Sequence, residues 1–513
     1  MKRNGKKMTA CFLAVAMALT GLCGCQGSAV ASDAEREGRE SSAGHKAGDS
    51  RDPAAFNQQA GENSDSSRDG GPETGDEDWM KNQKYEKGAT REAREPERAD
   101  LSPEDYEGWN RLLEERKISE AFAEGLDSFA YKSGSAVLRS TEGNGNYSPL
   151  SLYYTLALAG CGAKGETAGQ ILKNLGAEDQ TELAEQCSRL YYSYVYQNQR
   201  EKERMEYYGM EDYRSAICLG NSLWISNQLA VGEDYEKLAA EKFFASSYGV
   251  DFADPETGRR MGAWIAGKTN GVLKPELNLD PATLLAILNT LYFYGGWTHP
   301  FSPEMTQEDL FTPEDGSQVT VPYLNQTERE GAFRKGGGCT LSYLRTDNNC
   351  RMVFLLPDEG RNVGEFLESP ETLREAMETE EEDWTNGKVI WKVPKFAFGS
   401  SYLLNDMIKV MGMDRMFDGR AEFGGISSDP LLVSSVIQQT HIGLDEQGVE
   451  GAAYTMMSMA RGALIENEET AEMILDRPFL FGIRDDIHGV WLFLGVCRNP
   501  AGEGNGEEQN SRK

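Results

Sequence analysis

One uninterrupted stretch limits the possible folds more than any other feature. It runs from about residue 118 to residue 500, about 380 residues, with no low-complexity break and no repeat at a fixed period. This exceeds a typical single core, so two domains or one large domain are both open at this point. Helical spacing of apolar residues marks its first half, at 118–130, 152–159 and 182–194. Strand-like runs mark its second half, at 286–294, 352–356, 389–393 and 490–494. This distribution predicts an α+β fold rather than alternating βαβ units.

The first 25 residues have the pattern of a secretory signal. Four basic residues precede an apolar stretch at 11–22, which is followed by Cys23, Gly24 and Cys25. The ending Leu-x-Gly-Cys resembles the bacterial lipobox, in which the cysteine thiol receives a diacylglycerol and becomes the first residue after cleavage. We therefore predict a lipoprotein signal peptide at 1–25 and a lipid anchor at Cys25, with an ordinary signal peptide as the alternative.

Two polar segments flank the long stretch. Residues 26–117 are rich in Ser, Gly, Asp, Glu and Arg and have almost no apolar periodicity, which predicts a disordered acidic tether. Residues 501–513 are predicted to be a polar C-terminal tail. The domain between them is thereby predicted at 118–500.

The formal net charge of the chain is −31, and most of it lies in the predicted domain. A field of this sign repels nucleic acid and anionic membranes and favours cationic partners at low salt. The same charge also keeps an extracellular protein in solution, and the sequence leaves both interpretations open.

The remaining cysteines show no metal-ligand spacing. They lie at 161, 187, 218, 339, 350 and 497, without a Cys-x-x-Cys pair. Small or apolar neighbours predict buried free thiols rather than a disulfide framework or a zinc site. We expect no metal and no cofactor.

Two features of the sequence bear on whether the chain is an enzyme. Residues 262–269 fit the P-loop pattern, but Trp264 and Ile265 are too bulky for a loop that wraps phosphate and instead suit a helix that ends at Lys268. Outside the tether the only histidines are at 299, 441 and 488, and no Gly-x-Ser-x-Gly elbow accompanies them. We therefore predict that the chain is not an enzyme.

Several motifs resemble those of the serpin family, in family order. They are Asn-Tyr-Ser-Pro-Leu-Ser-Leu at 146–152, Trp-Ile-x-x-Lys-Thr-Asn-Gly at 264–271, Asn-Thr-Leu-Tyr-Phe-Tyr-Gly-Gly-Trp at 289–297, Val-Pro-Lys-Phe at 393–396 and Asp-Arg-Pro-Phe-Leu-Phe at 476–481. The resemblance covers about 118–500. It implies one domain with three β-sheets, eight or nine helices and an exposed reactive-centre loop.

The resemblance also implies a mode of action. Serpins are suicide inhibitors of serine proteases: the protease cleaves the loop, and the loop then enters a β-sheet while the acyl-enzyme persists. For this chain it implies an inhibitor that acts outside the cytoplasm as a monomer, with the target serine protease as its covalent partner and no nucleic acid. The alternatives are a serpin without inhibitory activity and a lipid-anchored solute-binding protein.

The hinge of the predicted loop follows residue 445. Small residues dominate its start, and an inserting segment needs small side chains at alternate positions and no proline. The hinge residues are Glu446, Gly448, Val449, Glu450, Gly451, Ala452 and Ala453. Val449 departs from the family, which usually has Thr or Ser at this position.

The resemblance places a polar cluster beneath the point of insertion. The predicted sheet-opening residues are Ser148, Ser151, Asn289, Trp297 and Gln438. Many relatives carry a histidine where this chain has Gln438. An amide both donates and accepts, so the cluster can persist.

Counting about seventeen residues from Glu446, as in the family, places the reactive bond near Arg461, Gly462 and Ala463. Arg461 suits a carboxylate-floored pocket, which favours a trypsin-like protease cutting at Arg461-Gly462. An elastase-like enzyme is the alternative because small apolar residues surround the arginine. Counting back from Pro478 instead places the bond near Asn467.

Overall fold

The structure of the protein is a computed structural model that describes residues 11–16 (backbone only), 90–93, 96–210, 213–378, 383–450 and 469–502. The helices are α1 Tyr106–Glu115, α2 Glu120–Arg139, α3 Pro149–Cys161, α4 Gly165–Leu175, α5 Gln180–Tyr207, α6 Glu233–Lys242, α7 Pro255–Lys268, α8 Val363–Phe366, α9 Pro370–Met377 and α10 Asn405–Val410. The strands are β1 Cys11–Ala16, β2 Gly145–Tyr147, β3 Ala216–Ser226, β4 Ala245–Val250, β5 Thr283–Gly296, β6 Gln307–Phe311, β7 Val319–Gly336, β8 Cys339–Arg345, β9 Cys350–Pro357, β10 Thr385–Pro394, β11 Phe396–Leu403, β12 Leu431–Leu444, β13 Gly448–Val449, β14 Thr470–Ile474, β15 Phe479–Asp485 and β16 Val490–Cys497.

The predicted helices and strands are confirmed, and local chemistry explains where several helices begin. Ser119 caps α2 by accepting a hydrogen bond from the amide of Phe122, and Asp179 caps α5 in the same way. Helix α3 is buried along its whole length, as expected for a helix that is apolar all round. Its N-cap is Ser148, so this buried helix carries one predicted site residue at its start.

The strands form two hydrogen-bonded sheets. The first, sheet A, has seven strands in the order β1-β12-β13-β5-β3-β4, with β11 against β12. The second has nine, in the order β14-β10-β7-β8-β9-β15-β16-β2, with β6 against β7. The resemblance implied three sheets, but the 18-residue strand β7 pairs with β6 at its start, with β10 along residues 323–333 and with β8 at its end. It therefore joins the second and third sheets into one.

The described residues contain ten α-helices rather than the eight or nine expected, partly because α1 precedes the predicted domain. Residues 26–117 were predicted to be disordered, and this is wrong for the last part of the range. Thr90 donates its amide to the carbonyl of Ser247 at 2.8 Å, which extends the β4 edge of sheet A. In α1, Trp109 is fully buried and donates its indole N–H to the Ser102 carbonyl at 3.1 Å.

The P-loop pattern lies in helix α7, which ends at Lys268 as predicted. Trp264 is buried, and a side chain at Gly262 would meet the carbonyl oxygen of Pro275 at 2.5 Å. The backbone amides of this segment belong to a helix that packs closely against the chain near Pro275, so they do not form a phosphate-binding loop.

The six cysteines outside residues 1–25 are free thiols in the described chain, five of them buried and Cys218 partly exposed. Burial raises the pKa of Cys161 to about 12, so this thiol stays protonated at physiological pH. None of the described helices is both long enough and apolar enough to span a membrane.

Candidate functional site

Sheet A contains an opening between its two long central strands, β5 and β12. At the upper end β13 lies between them, pairing Val449 with Leu444 of β12 and with Gly295 of β5. At the lower end β1 lies between them, parallel to both, and its pairs reach Ala286 and Ile437. Between these two insertions, residues 287–294 of β5 and 438–443 of β12 have no described strand between them. The central strands are therefore separated along their whole length.

The start of the predicted hinge is fixed by Trp297, just after β5. The indole N–H of Trp297 donates to the carbonyl of Asp445 at 2.9 Å, and its backbone amide donates to the carbonyl of Gln447 at 2.8 Å. The Asp445 carboxylate accepts from the amide of Gln447 at 2.8 Å and closes a tight turn. Trp297, predicted as a sheet-opening residue, thus holds the base of the hinge.

A second anchor is Glu446, whose carboxylate accepts from Lys395 Nζ at 2.7 Å and from Thr306 Oγ1 at 2.8 Å. Its carbonyl accepts from the amide of Phe301 at 2.8 Å. Although burial acts to raise the pKa of Glu446, the hydrogen bonds from Lys395 and Thr306 outweigh it and hold the pKa below the ordinary value. Glu446 is therefore ionised and paired across the physiological range.

The hinge then enters the sheet. Gly448 pairs with Gly296, and a side chain at Gly448 would meet the carbonyl oxygen of Gly295 at 2.4 Å, so the backbones approach as only glycine permits. Val449 follows with none of its surface exposed. An apolar side chain at this position is already in the core of the sheet.

A cavity of about 40 Å³ lies in the opening and is bordered by Ser148, Ser151, Asn289, Val449 and Glu450, among others. A water molecule needs roughly 10–15 Å³ of such space, so the cavity holds a few waters at most and no sizeable ligand. The structure thus brings the hinge and three predicted sheet-opening residues to one cavity.

The predicted polar cluster is present, but it is divided into two parts. Gln438 accepts from the amide of Ser148 at 2.9 Å and donates to its carbonyl at 2.8 Å. Ser148 Oγ in turn accepts from the amide of Ser151 at 3.2 Å. Asn289 instead donates to Asn221 of β3 at 2.7 Å. The motif alone does not point to Asn221, because only the pairing of β3 with β5 sets this residue opposite Asn289.

Glu450 ends the described part of the hinge. Its φ is +59°, in the left-handed region, and its amide donates to the Gly443 carbonyl at 2.5 Å. Glu450 is half-buried in the opening, and this burial raises the pKa of its carboxyl to about 8. This residue leaves the strand direction immediately after Val449.

The predicted residues Gly451, Ala452, Ala453, Arg461, Gly462 and Ala463 and the predicted anchor Cys25 lie outside the described residues. The hinge is therefore described only as far as Glu450.

One histidine forms an arrangement similar to that of a hydrolase. His488 Nδ1 lies 2.5 Å from Asp485 Oδ2, and His488 Nε2 lies 2.9 Å from Ser193 Oγ. Ser193 is 1% exposed and the His488 side chain 3% exposed, so a substrate has no access to the serine. This Ser-His-Asp chain ties helix α5 to the turn between β15 and β16 and has no route to catalysis in this fold.

The comparisons with known proteins agree with this geometry. The family model described as Serpin (serine protease inhibitor) matches residues 124–500. Serpin A3-7 of Bos taurus is 30% identical over 375 residues, covering 71% of this chain and 84% of the relative. Serpin-Z1C of Triticum aestivum is 28% identical over 384 residues, covering 71% of this chain and 91% of the relative.

A solved structure shares the fold. The native state of the thermophilic serpin tengpin matches with a TM-score of 0.64 at 21% identity, covering 80% of this chain and 100% of that chain. Such a low identity shows the fold alone. The chain belongs to the serpin family, whose members are typically protease inhibitors although some are not. This membership removes a solute-binding protein of another fold from the alternatives.

Proposed function

We propose that the protein is a suicide-substrate inhibitor of serine proteases that acts outside the cytoplasm. The observation that carries this proposal is the position of Gly448 and Val449. They are already paired between β5 and β12, above a stretch of both strands that has no described strand between them. A segment that continues from Val449 has backbone groups to pair with on both sides, which favours insertion once the loop is cut.

The proposed reaction begins as ordinary proteolysis. The serine Oγ of the protease attacks the carbonyl carbon of the residue before the reactive bond, the peptide C–N bond breaks, and the new amino terminus leaves with a proton from the catalytic histidine. The ester that remains links the two proteins. Insertion of the freed loop then moves the protease across sheet A before water hydrolyses the ester. The protein needs no cofactor for this sequence.

We place the reactive bond at Arg461-Gly462, with Gly462-Ala463 as the next choice. An arginine pairs through two hydrogen bonds with a carboxylate at the base of a trypsin-like pocket. An elastase-like protease that cuts after Met459, Ala460 or Ala463 is the competing target. Mass spectrometry of the C-terminal fragment released from an inhibited protease decides, because only cleavage at the first bond gives a new amino terminus at Gly462.

The proposed location is the extracytoplasmic face of a bacterial membrane, with the thiol of Cys25 acylated and the protein acting as a monomer. Cleavage before Cys25 removes β1, so in this processed form the lower part of the opening between β5 and β12 lacks that strand. The lipobox pattern supports this location. In a bacterial expression host that performs this modification, the wild-type chain should partition into the detergent phase and a Cys25→Ser variant should not. Equal partitioning of the two would contradict the anchor.

A serpin without inhibitory activity is the second candidate, favoured by Val449 in place of the family's Thr or Ser. The full chain, incubated with a panel of trypsin-like and elastase-like proteases, decides between them. An inhibitor gives an SDS-stable adduct, and after nicking in the loop its midpoint of thermal unfolding rises. A chain that is cut without forming an adduct and without gaining heat stability would be a substrate and not an inhibitor.

A further inference from the structure

Glu450 occupies the point where the hinge stops. The residue before it, Val449, is a fully buried strand residue with partners on both sides. The φ of Glu450, +59°, lies in the left-handed region, which residues with a Cβ rarely adopt and which does not occur inside a β-strand. Its amide is held in this geometry by the carbonyl of Gly443 at 2.5 Å. The backbone therefore turns out of the strand direction at this one residue.

The described lining of the cavity beside Glu450 includes no lysine and no arginine. Its side chain borders the cavity in sheet A, where the other titratable side chains are Tyr292 of β5 and His441 of β12. Helix α7 and the residues after it contribute only uncharged side chains to the cavity: Ile265, Thr269, Val272 and Leu273. A carboxylate in this setting loses hydration, and no lysine or arginine of the described lining offsets that loss, so burial favours the neutral acid.

We propose that Glu450 is a proton-sensitive stop that fixes how far the hinge enters sheet A. Its left-handed backbone ends the inserted strand at Val449, and its carboxyl remains in the opening only while it is neutral. Ionisation favours withdrawal of the carboxyl into water, and Val449 is withdrawn with it because the two residues are adjacent. The proposal concerns the regulation of the proposed inhibitory loop, but the position of the hinge can be measured without any protease.

The direction of the pH dependence follows from the environment of this carboxyl. Burial raises its pKa from 4.5 to about 8, so the inserted hinge binds a proton that the withdrawn hinge releases. The inserted position is fully favoured below the ordinary pKa and loses its advantage as the pH rises through about 8. Burial, and after it the Glu450 carboxylate, raises the pKa of Tyr292 so far that the phenol stays neutral throughout this range.

The effect of ionising Glu450 is tested by amide hydrogen exchange of the hinge in the full chain. The exchange is read by mass spectrometry of a peptide that contains Val449 and Glu450. After correction for intrinsic exchange, we expect protection of these amides to fall about tenfold between about pH 6 and about pH 9. Glu450→Gln should stay protected at both pH values because its amide cannot ionise. His441→Gln is the matched control and should keep the wild-type dependence.

Three results of this experiment would overturn the proton sensitivity. They are equal protection of the wild type at both pH values, a pH dependence that survives in Glu450→Gln, and its loss in His441→Gln. The last result would assign the effect to the imidazole.

The backbone part of the proposal is tested with two further variants that both lack the carboxyl. Glu450→Gly accepts the left-handed conformation freely, whereas Glu450→Val disfavours it because its side chain is β-branched. On mild warming, we expect the valine variant to convert to a heat-stable form about threefold or more faster than the glycine variant, as judged on native gels. Equal rates in the two variants, including no conversion in either, would overturn the stop.

These readouts separate this inference from the proposed function. A chain that traps no protease but shows the proton-dependent hinge supports the stop and contradicts inhibition. A chain that traps a protease but whose hinge does not respond to pH supports inhibition and contradicts the stop.

Discussion

Residues 90–93 and the hinge join sheet A by different routes, the first at its edge and the second at its centre. At the edge, Thr90 donates its amide and its hydroxyl to the carbonyl of Ser247, and the amide of Ser247 donates to the carbonyl of Arg91 at 2.9 Å. At the centre, Gly448 and Val449 pair with strands on both sides. The side chain of Arg91 is 32% exposed, whereas Val449 is fully buried.

The difference shows what each addition requires of the sheet. An edge strand presents unpaired backbone groups, so residues 90–93 add to β4 without displacing anything. A central strand can enter only if β5 and β12 separate, and its side chains are then buried on both faces of the sheet. A segment that joins the edge can therefore carry many kinds of side chain, whereas a segment that joins the centre can carry only side chains that tolerate burial.

Val449→Arg should have the largest effect, because the centre cannot accept a charge. Insertion would bury an unpaired guanidinium at a cost of several kcal/mol, so deacylation would overtake insertion. We expect the yield of SDS-stable protease adduct to fall about tenfold or more. The measurement is adduct yield at equal protein and protease, with Val449→Ala as the size control, which should still form adduct. Unchanged adduct in Val449→Arg would mean that this loop does not insert.

Trp109→Ala should release the edge segment while leaving the centre intact. Truncating a fully buried tryptophan costs about 3–5 kcal/mol, and this cost falls on the contact of α1 with the rest of the fold. We expect faster proteolysis of residues 90–117 in the variant. Hydrogen exchange of the peptide containing Val449 should stay as in the wild type. A change at the hinge as large as the change at the edge would show that the two segments are coupled, contrary to the contrast drawn above.

Lys395→Met should loosen the base of the hinge by a smaller amount. It removes a hydrogen bond between charged groups, worth about 1.5–3 kcal/mol when buried, and Lys395 is 31% exposed, which reduces the effect. The lowered pKa of Glu446 sets the pH dependence. The pair of Glu446 with Lys395 stabilises the wild type at pH values above 4.5, the ordinary pKa of this carboxyl, and the stabilisation is lost as the pH falls through the lowered pKa. Chemical denaturation at neutral and acidic pH should show this acid-dependent part in the wild type and a smaller one in the variant. An identical acid dependence in both would assign it to other carboxyls.

Glu92→Arg should have the smallest effect, although it introduces the same side chain as the first variant. Glu92 is exposed at the edge, so the guanidinium stays in water and stability should change by less than about 0.5 kcal/mol. Adduct yield and the midpoint of thermal unfolding should both equal those of the wild type. A loss of adduct comparable to that of Val449→Arg would show that position in the sheet does not decide tolerance.

Much of this architecture could be predicted from local patterns. The helical spacing at 118–130 became α2, the apolar run at 286–294 became the centre of β5, and the bulky residues of the P-loop pattern became a helix that ends at Lys268. Trp297 and Glu446 were also predicted as site residues, and both hold the hinge. Periodicity and side-chain size act over a few residues, so such features can be inferred without a fold.

The helices and strands, the family resemblance and the composition of the hinge therefore follow from local patterns in the chain. Which distant segments meet depends on how the whole fold packs. The edge segment has too few apolar residues to predict order. It is ordered because Trp109 is fully buried and because Thr90 bonds to Ser247 at the edge of β4, more than one hundred residues away in the chain. Likewise, the left-handed turn at Glu450 depends on Gly443 and on the opening between β5 and β12, because a strained backbone persists only where surrounding contacts hold it.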